Sequence, residues 1–191
     1  MSTVSILFVV VVIGGALMLC CVACCLFALL AVRMKAGSAN GKWKPPVPIG
    51  EPKPLRVIRA GDKPLAESAR WDGDELVIQA DAAATKCLFE VALDGLKQCM
   101  ITYRFRIQTE NLGKPVYPEM WCRIPDKGEF FSRGLQCKLR GTNDWTPVEI
   151  PFYLESGQRA DHLRLNLVFE GPGTVRLRDI EVLSTPVKPT S

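Results

Sequence analysis

Apolar and polar residues alternate along most of the chain from about residue 55 onward. Ile101–Ile107, Val148–Leu154 and Leu163–Phe169 each carry an apolar side chain at every second position. Successive side chains of a β-strand point to opposite faces of its sheet. This period therefore predicts strands with one buried face and one solvated face.

Shorter runs of the same kind lie between and around these three. They are Leu55–Ala60, Glu75–Ala80, Lys86–Ala92, Tyr117–Ile124, Gly134–Arg140 and Thr174–Leu183. Turn-forming residues separate the runs, as in Asp72-Gly73-Asp74, Asn111-Leu112-Gly113 and Gly171-Pro172-Gly173. About nine short strands without a helical period predict an all-β fold for residues 57–184, an antiparallel β-sandwich or a barrel.

The last run changes its parity. Val175 and Leu177 are followed by Ile180 and Val182, so the apolar positions shift by one residue in the middle of the strand. One extra residue near Arg178-Asp179, a β-bulge, would return both pairs to the same face of the sheet.

The first 32 residues contain no Asp, Glu, Lys, Arg or His, and they are apolar almost throughout from Val4 to Val32. Crossing a bilayer takes about 20 apolar residues, so residues 1–32 are predicted to be a transmembrane helix. A cleaved signal peptide is one alternative, but it would have a basic start and a shorter apolar stretch. A lipoprotein signal ending near Cys20 or Cys24 is the other.

Residues 33–56 have the composition of a linker, with Gly and Ser near the start and prolines toward the end. Gly and Ser keep a linker flexible, whereas Pro stiffens it into an extended spacer. Six of these residues are Lys or Arg and one is acidic, a net charge of +5 beside the predicted membrane segment. Residues 185–191 are predicted to be a disordered tail.

The position of the basic cluster predicts the orientation in the membrane. Basic residues next to a membrane span tend to remain in the cytoplasm, and here all of them follow the apolar run. This places the β domain of a single-pass cell-membrane protein in the cytoplasm, with an extracytoplasmic domain as the alternative. The lipid bilayer is a candidate partner of this cluster, because anionic headgroups attract Lys and Arg. A solvated linker beside the membrane span, which needs no lipid specificity, is the simpler interpretation.

Residues 57–191 hold 18 Lys or Arg and 19 Asp or Glu, so the β domain is nearly neutral. This balance argues against a nucleic-acid partner. Cys87, Cys99, Cys122 and Cys137 lack zinc-site spacing, and no acidic loop predicts a metal or a cofactor. The four cysteines are compatible with two disulfides or with free thiols, and the alternation around Cys122 predicts a core position for that residue.

Several of the predicted strands resemble those of known jelly-roll domains. The stretches that carry the likeness are Asp74–Ile78, Tyr103–Ile107, Thr142–Phe152 with its central Trp145, Leu163–Leu167 and Gly171–Ile180. Through them the chain from Asp72 to Leu183 is similar to the galactose-binding-like family, the jelly-roll fold of many carbohydrate-binding modules. The resemblance implies an antiparallel β-sandwich and favours a carbohydrate ligand.

The stretch from Tyr117 to Gly134 is the most distinctive in the domain. If Met120, Cys122 and Ile124 face the core, the residues between them share the outward face. Exposed aromatic rings can stack on the C–H groups of a pyranose ring, while neighbouring charged groups hydrogen-bond its hydroxyls. The candidate ligand-binding residues are Tyr117, Glu119, Trp121, Arg123 and Arg133. Burial of the two aromatic rings in a structural role is the alternative.

No nucleophile motif accompanies the lone His162, so the sequence predicts no enzyme. Two functions remain. The first is a single-pass membrane protein that displays a non-catalytic β-sandwich binding module, with carbohydrate as the ligand that the resemblance favours. The second is a membrane-tethered structural or scaffold module that binds a protein partner.

Overall fold

The structure is a computed structural model that describes residues 45–188. Nine β-strands and one short 3-10 turn make up this part of the chain. The strands are β1 (Lys53–Ile58), β2 (Ala69–Asp72), β3 (Glu75–Ala80), β4 (Ala84–Lys97), β5 (Cys99–Ile124), β6 (Gly128–Arg133), β7 (Leu139–Tyr153), β8 (Arg159–Phe169) and β9 (Gly173–Pro186). The 3-10 turn, Leu135–Cys137, connects β6 to β7.

The strands form two layers that share β5. In the first layer β9 is central: β3 and β1 pair with one of its edges, β2 extends the sheet beyond β3, and the first half of β5 pairs with the other edge. β7 pairs with the far side of β5. In the second layer β8 lies between β4 and the second half of β5, and β6 pairs with the outer edge of β5. Every one of these pairings is antiparallel, so the fold is the all-β sandwich that the alternation predicts.

The core lies between the two layers, and the period-two alternation decides which side chains enter it. In β8, Leu163, Leu165 and Leu167 have no exposed surface. They belong to one apolar cluster with Ile101 and Tyr103 from the first half of β5. Because one face of each strand is buried in this cluster, the opposite face carries the polar side chains.

β5 runs without interruption from Cys99 to Ile124, whereas the sequence predicts two strands separated by a turn at Asn111-Leu112-Gly113. The predicted turn is wrong. The Leu112 side chain is only 3% exposed, and its burial in the core holds β5 in an extended path where the strand passes from one layer to the other. The register with β7 slips around this point, and Asn111 adopts a φ of 50°. These irregularities bend the strand without reversing it.

The predicted strand Gly134–Arg140 is also wrong. Its first half is the 3-10 turn, and a strand that the sequence did not predict, β6, precedes it. A Cβ atom at position 134 would lie 2.7 Å from the Pro118 ring and 2.8 Å from a methyl group of Ile150. The chain therefore passes so close to β5 and β7 at Gly134 that only glycine fits. The Gly134 amide still donates a hydrogen bond to the Pro118 carbonyl of β5 (2.9 Å), and the 3-10 turn begins at the next residue.

The predicted bulge in the last strand is confirmed. Between β5 and β9 the register skips one residue, because Arg104 pairs with Glu181 and Arg106 pairs with Arg178. Asp179 has a φ of 54°. The extra residue keeps the apolar side chains before and after it on the core side of β9.

The compact unit begins at Pro45, before the start at residue 57 that the sequence predicts. β1 starts at Lys53, and Pro48 forms a β-bridge with Val187, within the predicted tail. Two backbone hydrogen bonds flank this bridge, from the Ile49 amide to the Pro186 carbonyl (2.7 Å) and from the Lys188 amide to the Val47 carbonyl (2.9 Å). Extended, proline-rich backbone is compatible with such an edge position, where few amide donors are needed.

The predicted transmembrane helix, residues 1–32, lies outside the described residues, as does the first half of the predicted linker, residues 33–44. Between residues 45 and 188 no helix is long and apolar enough to cross a membrane.

The four cysteines of the β domain are free thiols in the structure. Cys122 is completely buried, which confirms its predicted core position. Burial raises the pKa of Cys99 to about 11 and that of Cys122 to about 12. Both thiols are therefore protonated and unreactive at neutral pH.

Candidate functional site

The outward side of the second layer brings most of the candidate residues together. Reading across from β8 through β5 to β6, the side-chain rows are Asn166–Glu119–Arg133, Arg164–Trp121–Phe131 and His162–Arg123–Glu129. Met120 and Cys122, which alternate with them on β5, are completely buried. We call this outward surface, which carries the rings of Tyr117, Trp121 and Phe131, the aromatic face.

A buried carboxylate organises the centre of the aromatic face. Glu119 is 4% exposed, and one of its oxygens, Oε1, accepts hydrogen bonds from Trp121 Nε1 (2.7 Å) and Asn166 Nδ2 (3.2 Å). The other oxygen, Oε2, accepts one from Arg133 Nε at 2.6 Å. The sequence-based hypothesis treats Glu119 as a ligand contact. In the structure both of its oxygens accept hydrogen bonds from protein side chains.

The surroundings of Glu119 also set its charge. Burial by itself would raise the pKa of this carboxyl, but the hydrogen bonds from Arg133, Trp121 and Asn166, together with the Arg133 charge, outweigh it and lower the pKa below its ordinary value. The carboxylate is therefore ionised at neutral pH, so it acts as an acceptor that fixes its three donors in place.

The rings on this face differ in how much surface they offer. Trp121 packs against Phe131, with ring centroids 5.1 Å apart and planes at 44°. Phe131 is half exposed, whereas Trp121 and Tyr117 are partly buried. Cations lie near all three rings: Arg133 over Phe131 at 4.6 Å, Arg164 over Trp121 at 5.3 Å and Lys138 over Tyr117 at 4.9 Å. Each ring is therefore attracted to a neighbouring positive charge.

The cations at the margins of the aromatic face are paired with acids. Arg123 makes two hydrogen bonds to the Asp161 carboxylate, at 2.8 and 3.1 Å, and Arg164 donates one to Glu129 at 2.6 Å. The hydrogen bonds to Asp161 raise the pKa of Arg123 further above its already high value. Arg123 thus lies on the predicted face, but its guanidinium is held by β8.

The structure places all five predicted site residues on one surface, and it adds three that the sequence reasoning missed as site residues. These are Phe131, Arg164 and Asn166. The amide oxygen of Asn166 has no hydrogen-bond partner among the described residues. Phe131 was not predicted as a site residue because apolar and polar residues do not alternate regularly in Glu129–Arg133. The sequence therefore did not predict a strand there that would pair beside Trp121.

Two clefts lie outside the three side-chain rows of the aromatic face. A cleft of ≈ 580 Å³ in the first layer is lined mainly by polar side chains, among them Gln108, Asn111, Thr142, Asp144 and Arg176. Another, of ≈ 640 Å³, lies among the loops near Asp94, Asp126 and Asp161. Within residues 45–188 no group of three His, Cys, Asp or Glu side chains is arranged to hold a metal ion.

No protein-family model matches this chain, and no curated protein matches it either. Among solved structures, one described as "CBM4 structure and function" is similar over 67% of this chain and 84% of its own, with 13% identity and a TM-score of 0.44. A "xylan-binding module CBM15" is similar over 75% of this chain and 97% of its own, with 11% identity and a TM-score of 0.40.

A third similar structure, "Family 16 Carbohydrate Binding Module-2", shares 12% identity over 62% of this chain and 82% of its own, with a TM-score of 0.40. Similarities this low carry no argument about the ligand or about the role of any residue. The assignment to the class of antiparallel β-sandwich proteins rests on the strands and their register.

Proposed function

We propose that this chain is a single-pass membrane protein whose β-sandwich is a non-catalytic binding module, and that the aromatic face binds a carbohydrate. The observation that carries the proposal is the half-exposed ring of Phe131, packed on Trp121 and held beside a buried, fully bonded carboxylate. Aromatic rings of fixed orientation on an open sheet suit the flat apolar faces of sugar rings.

The dimensions of the face support an extended ligand. Tyr117 and Trp121 are four residues apart on the same side of β5, which corresponds to about 13 Å along a strand. Because these rings lie on the outward surface of the sheet, a chain of several sugar units would fit them better than a small enclosed molecule.

The charges of the face favour a neutral glycan. Arg123, Arg133 and Arg164 each have a carboxylate partner on the protein, so an acidic ligand would have to compete with those partners. Breaking such a pair to bind an anion costs the hydrogen bonds already present. Hydroxyl groups can bond to the remaining donors of the same guanidinium groups without displacing a carboxylate.

The state of Glu119 supports a binding role over general-acid catalysis by this residue. A general acid must hold a proton near neutral pH, whereas the bonds to Glu119 lower its pKa and occupy both oxygens. This carboxylate therefore acts as a hydrogen-bond acceptor that holds the side chains of Trp121 and Arg133 in position.

A direct test compares Phe131→Ala with its neighbour Phe130→Ala in the full-length protein, reconstituted in lipid nanodiscs so that no sugar-based detergent competes. The native protein should bind at least one neutral polysaccharide in a panel that includes the storage glycans found inside cells. Phe131→Ala should weaken that affinity at least about tenfold, because the exposed ring is lost. Isothermal titration calorimetry measures the affinity of the native protein and of the variant for the same polysaccharide.

Phe130→Ala is the matched control. Phe130 is 41% exposed and pairs across the sheet with Cys122, so it leaves β6 on the side away from the aromatic face. Its removal should change the affinity by less than about twofold. Equal losses for both variants, or a native protein that binds no glycan in the panel, would refute the proposed carbohydrate site.

The orientation of the module in the membrane has a separate test. From the basic cluster after the apolar run we propose that the domain is cytoplasmic, which restricts its glycans to those present inside the cell. Ser156→Cys adds a thiol at an exposed position. In intact cells a membrane-impermeant maleimide should label this thiol only after permeabilisation, and labelling before permeabilisation would put the domain outside.

A further inference from the structure

The N-terminal edge of the sandwich exposes apolar side chains at the point where the described residues begin. Val47 is 64% exposed, the highest value among the large apolar residues that the structure describes, and Ile49, two residues on, is 47% exposed. Most of the alternating strands bury their apolar residues, so this exposure needs a separate explanation.

The backbone that carries these two side chains is fixed to the domain. The Pro48–Val187 bridge and the two hydrogen bonds beside it join the segment to the end of β9, and Val187 beneath it is 5% exposed. Val47 and Ile49, on either side of the bridge, therefore project away from the sandwich as a rigid pair.

The sequence around this pair has the composition of a membrane interface. Lys42, Trp43 and Lys44 precede it directly, and Lys53 and Lys188 flank it on the two paired segments, with Glu51 as the one nearby acid. Tryptophan favours the headgroup level of a bilayer, and lysines beside it are attracted by anionic headgroups. Exposed aliphatic residues next to them add apolar surface that can enter the interface.

The number of residues before Pro45 sets an upper limit on the distance between this edge and the proposed membrane anchor. Twelve residues, 33–44, separate the predicted transmembrane segment from the described domain. Even fully extended they span roughly 40 Å. A surface tethered within this distance meets the bilayer at a high effective concentration, so a weak interfacial affinity is sufficient for contact.

We propose that the edge formed by Val47, Ile49 and Lys188 docks on the anionic lipid surface of the membrane that anchors the chain. This inference rests on the anchoring in the proposed function and adds an orientation to it. In this arrangement the end of β9 is the part of the sandwich that contacts the bilayer.

Photo-crosslinking tests the docking directly. p-Azidophenylalanine is placed at position 47 or 49 of the full-length protein, and at the exposed position 142 as the control. Position 142 lies beside Asn143 and Thr109, level with the start of β9 and thus roughly 35 Å from the bridge. The protein is reconstituted in nanodiscs of phosphatidylcholine with or without 30% phosphatidylglycerol, and lipid adducts are measured by mass spectrometry after illumination.

We expect lipid adducts at positions 47 and 49 to exceed those at 142 at least fivefold in the anionic discs. The yield should fall in pure phosphatidylcholine and at high salt, because screening weakens the attraction of the lysines. Equal yields at all three positions in a protein that has entered the discs refute the docking and leave the anchor intact. A protein that fails to enter the discs refutes the anchor and the docking together.

Discussion

Replacing Glu119 with alanine is expected to lower the free energy of unfolding by about 3 kcal/mol. The substitution leaves Trp121 Nε1 and Asn166 Nδ2 without their acceptor beneath the aromatic face, and it removes the partner of Arg133. A buried donor without a partner costs about 1–3 kcal/mol. The half-exposed Arg133 can turn to water, so its share is small. Urea unfolding followed by tryptophan fluorescence measures the loss.

Glu129→Ala is the matched control, since it removes the carboxylate partner of Arg164 at the exposed rim of the same face. Its cost should stay below about 1 kcal/mol, as for other surface ion pairs. If the two variants lose similar amounts of stability, the Glu119 network does not organise the face.

The network also predicts a pH dependence with a definite sign. The folded-state pKa of Glu119 lies below its unfolded value, which is about 4.3. Its contribution to stability is therefore complete above the unfolded pKa and is lost as the pH falls through the folded pKa. The stability difference between the native protein and Glu119→Gln should be constant above about pH 5.5 and should shrink below about pH 4.

Leu165→Ala should have the largest effect on stability, about 3–4 kcal/mol, because it opens a cavity in the centre of the sandwich. Leu165 has no exposed surface and lies in register between Phe89 of β4 and Met120 of β5. Deletion of a buried leucine side chain costs its transfer free energy together with the cavity that remains. Thermal unfolding of the full-length protein in nanodiscs provides the measurement.

The control for this cavity is Val168→Ala, three residues along the same strand. Val168 is half-buried and pairs with Tyr117 on the outward side of β8, so its truncation leaves the core packed. Its cost should be about 1 kcal/mol or less. A loss at position 168 as large as that at 165 would mean that the outward face of β8 is buried as deeply as the inward face.

These contrasts show which parts of the fold the alternation determines. Leu163, Leu165 and Leu167 enter the core as their spacing predicts, and the parity change in β9 locates a real bulge. Such features are local, because the direction of a side chain depends only on its place in its own strand. The rows of the aromatic face follow partly from the same rule, since Tyr117, Glu119 and Trp121 share one side of β5 by parity alone.

The other features of the fold depend on strand pairing and on side-chain packing between distant parts of the chain. At Leu112 the strand bends and does not reverse, because the side chain is buried in the core. At position 134 only glycine fits, because the backbone lies against Pro118 and Ile150. Phe131 reached Trp121 only through the pairing of β6 with β5. Each of these depends on residues far apart in the chain, and a one-residue change of register would reverse the outcome.

The sequence by itself determined that the domain is built of strands, which side of each strand is apolar, and where its charge lies. Only the tertiary structure decided that Glu119 is buried and accepts hydrogen bonds on both oxygens. It also decided that the segment around Pro48 pairs with the chain at the end of β9. The physical reason is that alternation fixes the face of a side chain, whereas burial and partners depend on which strands lie beside it.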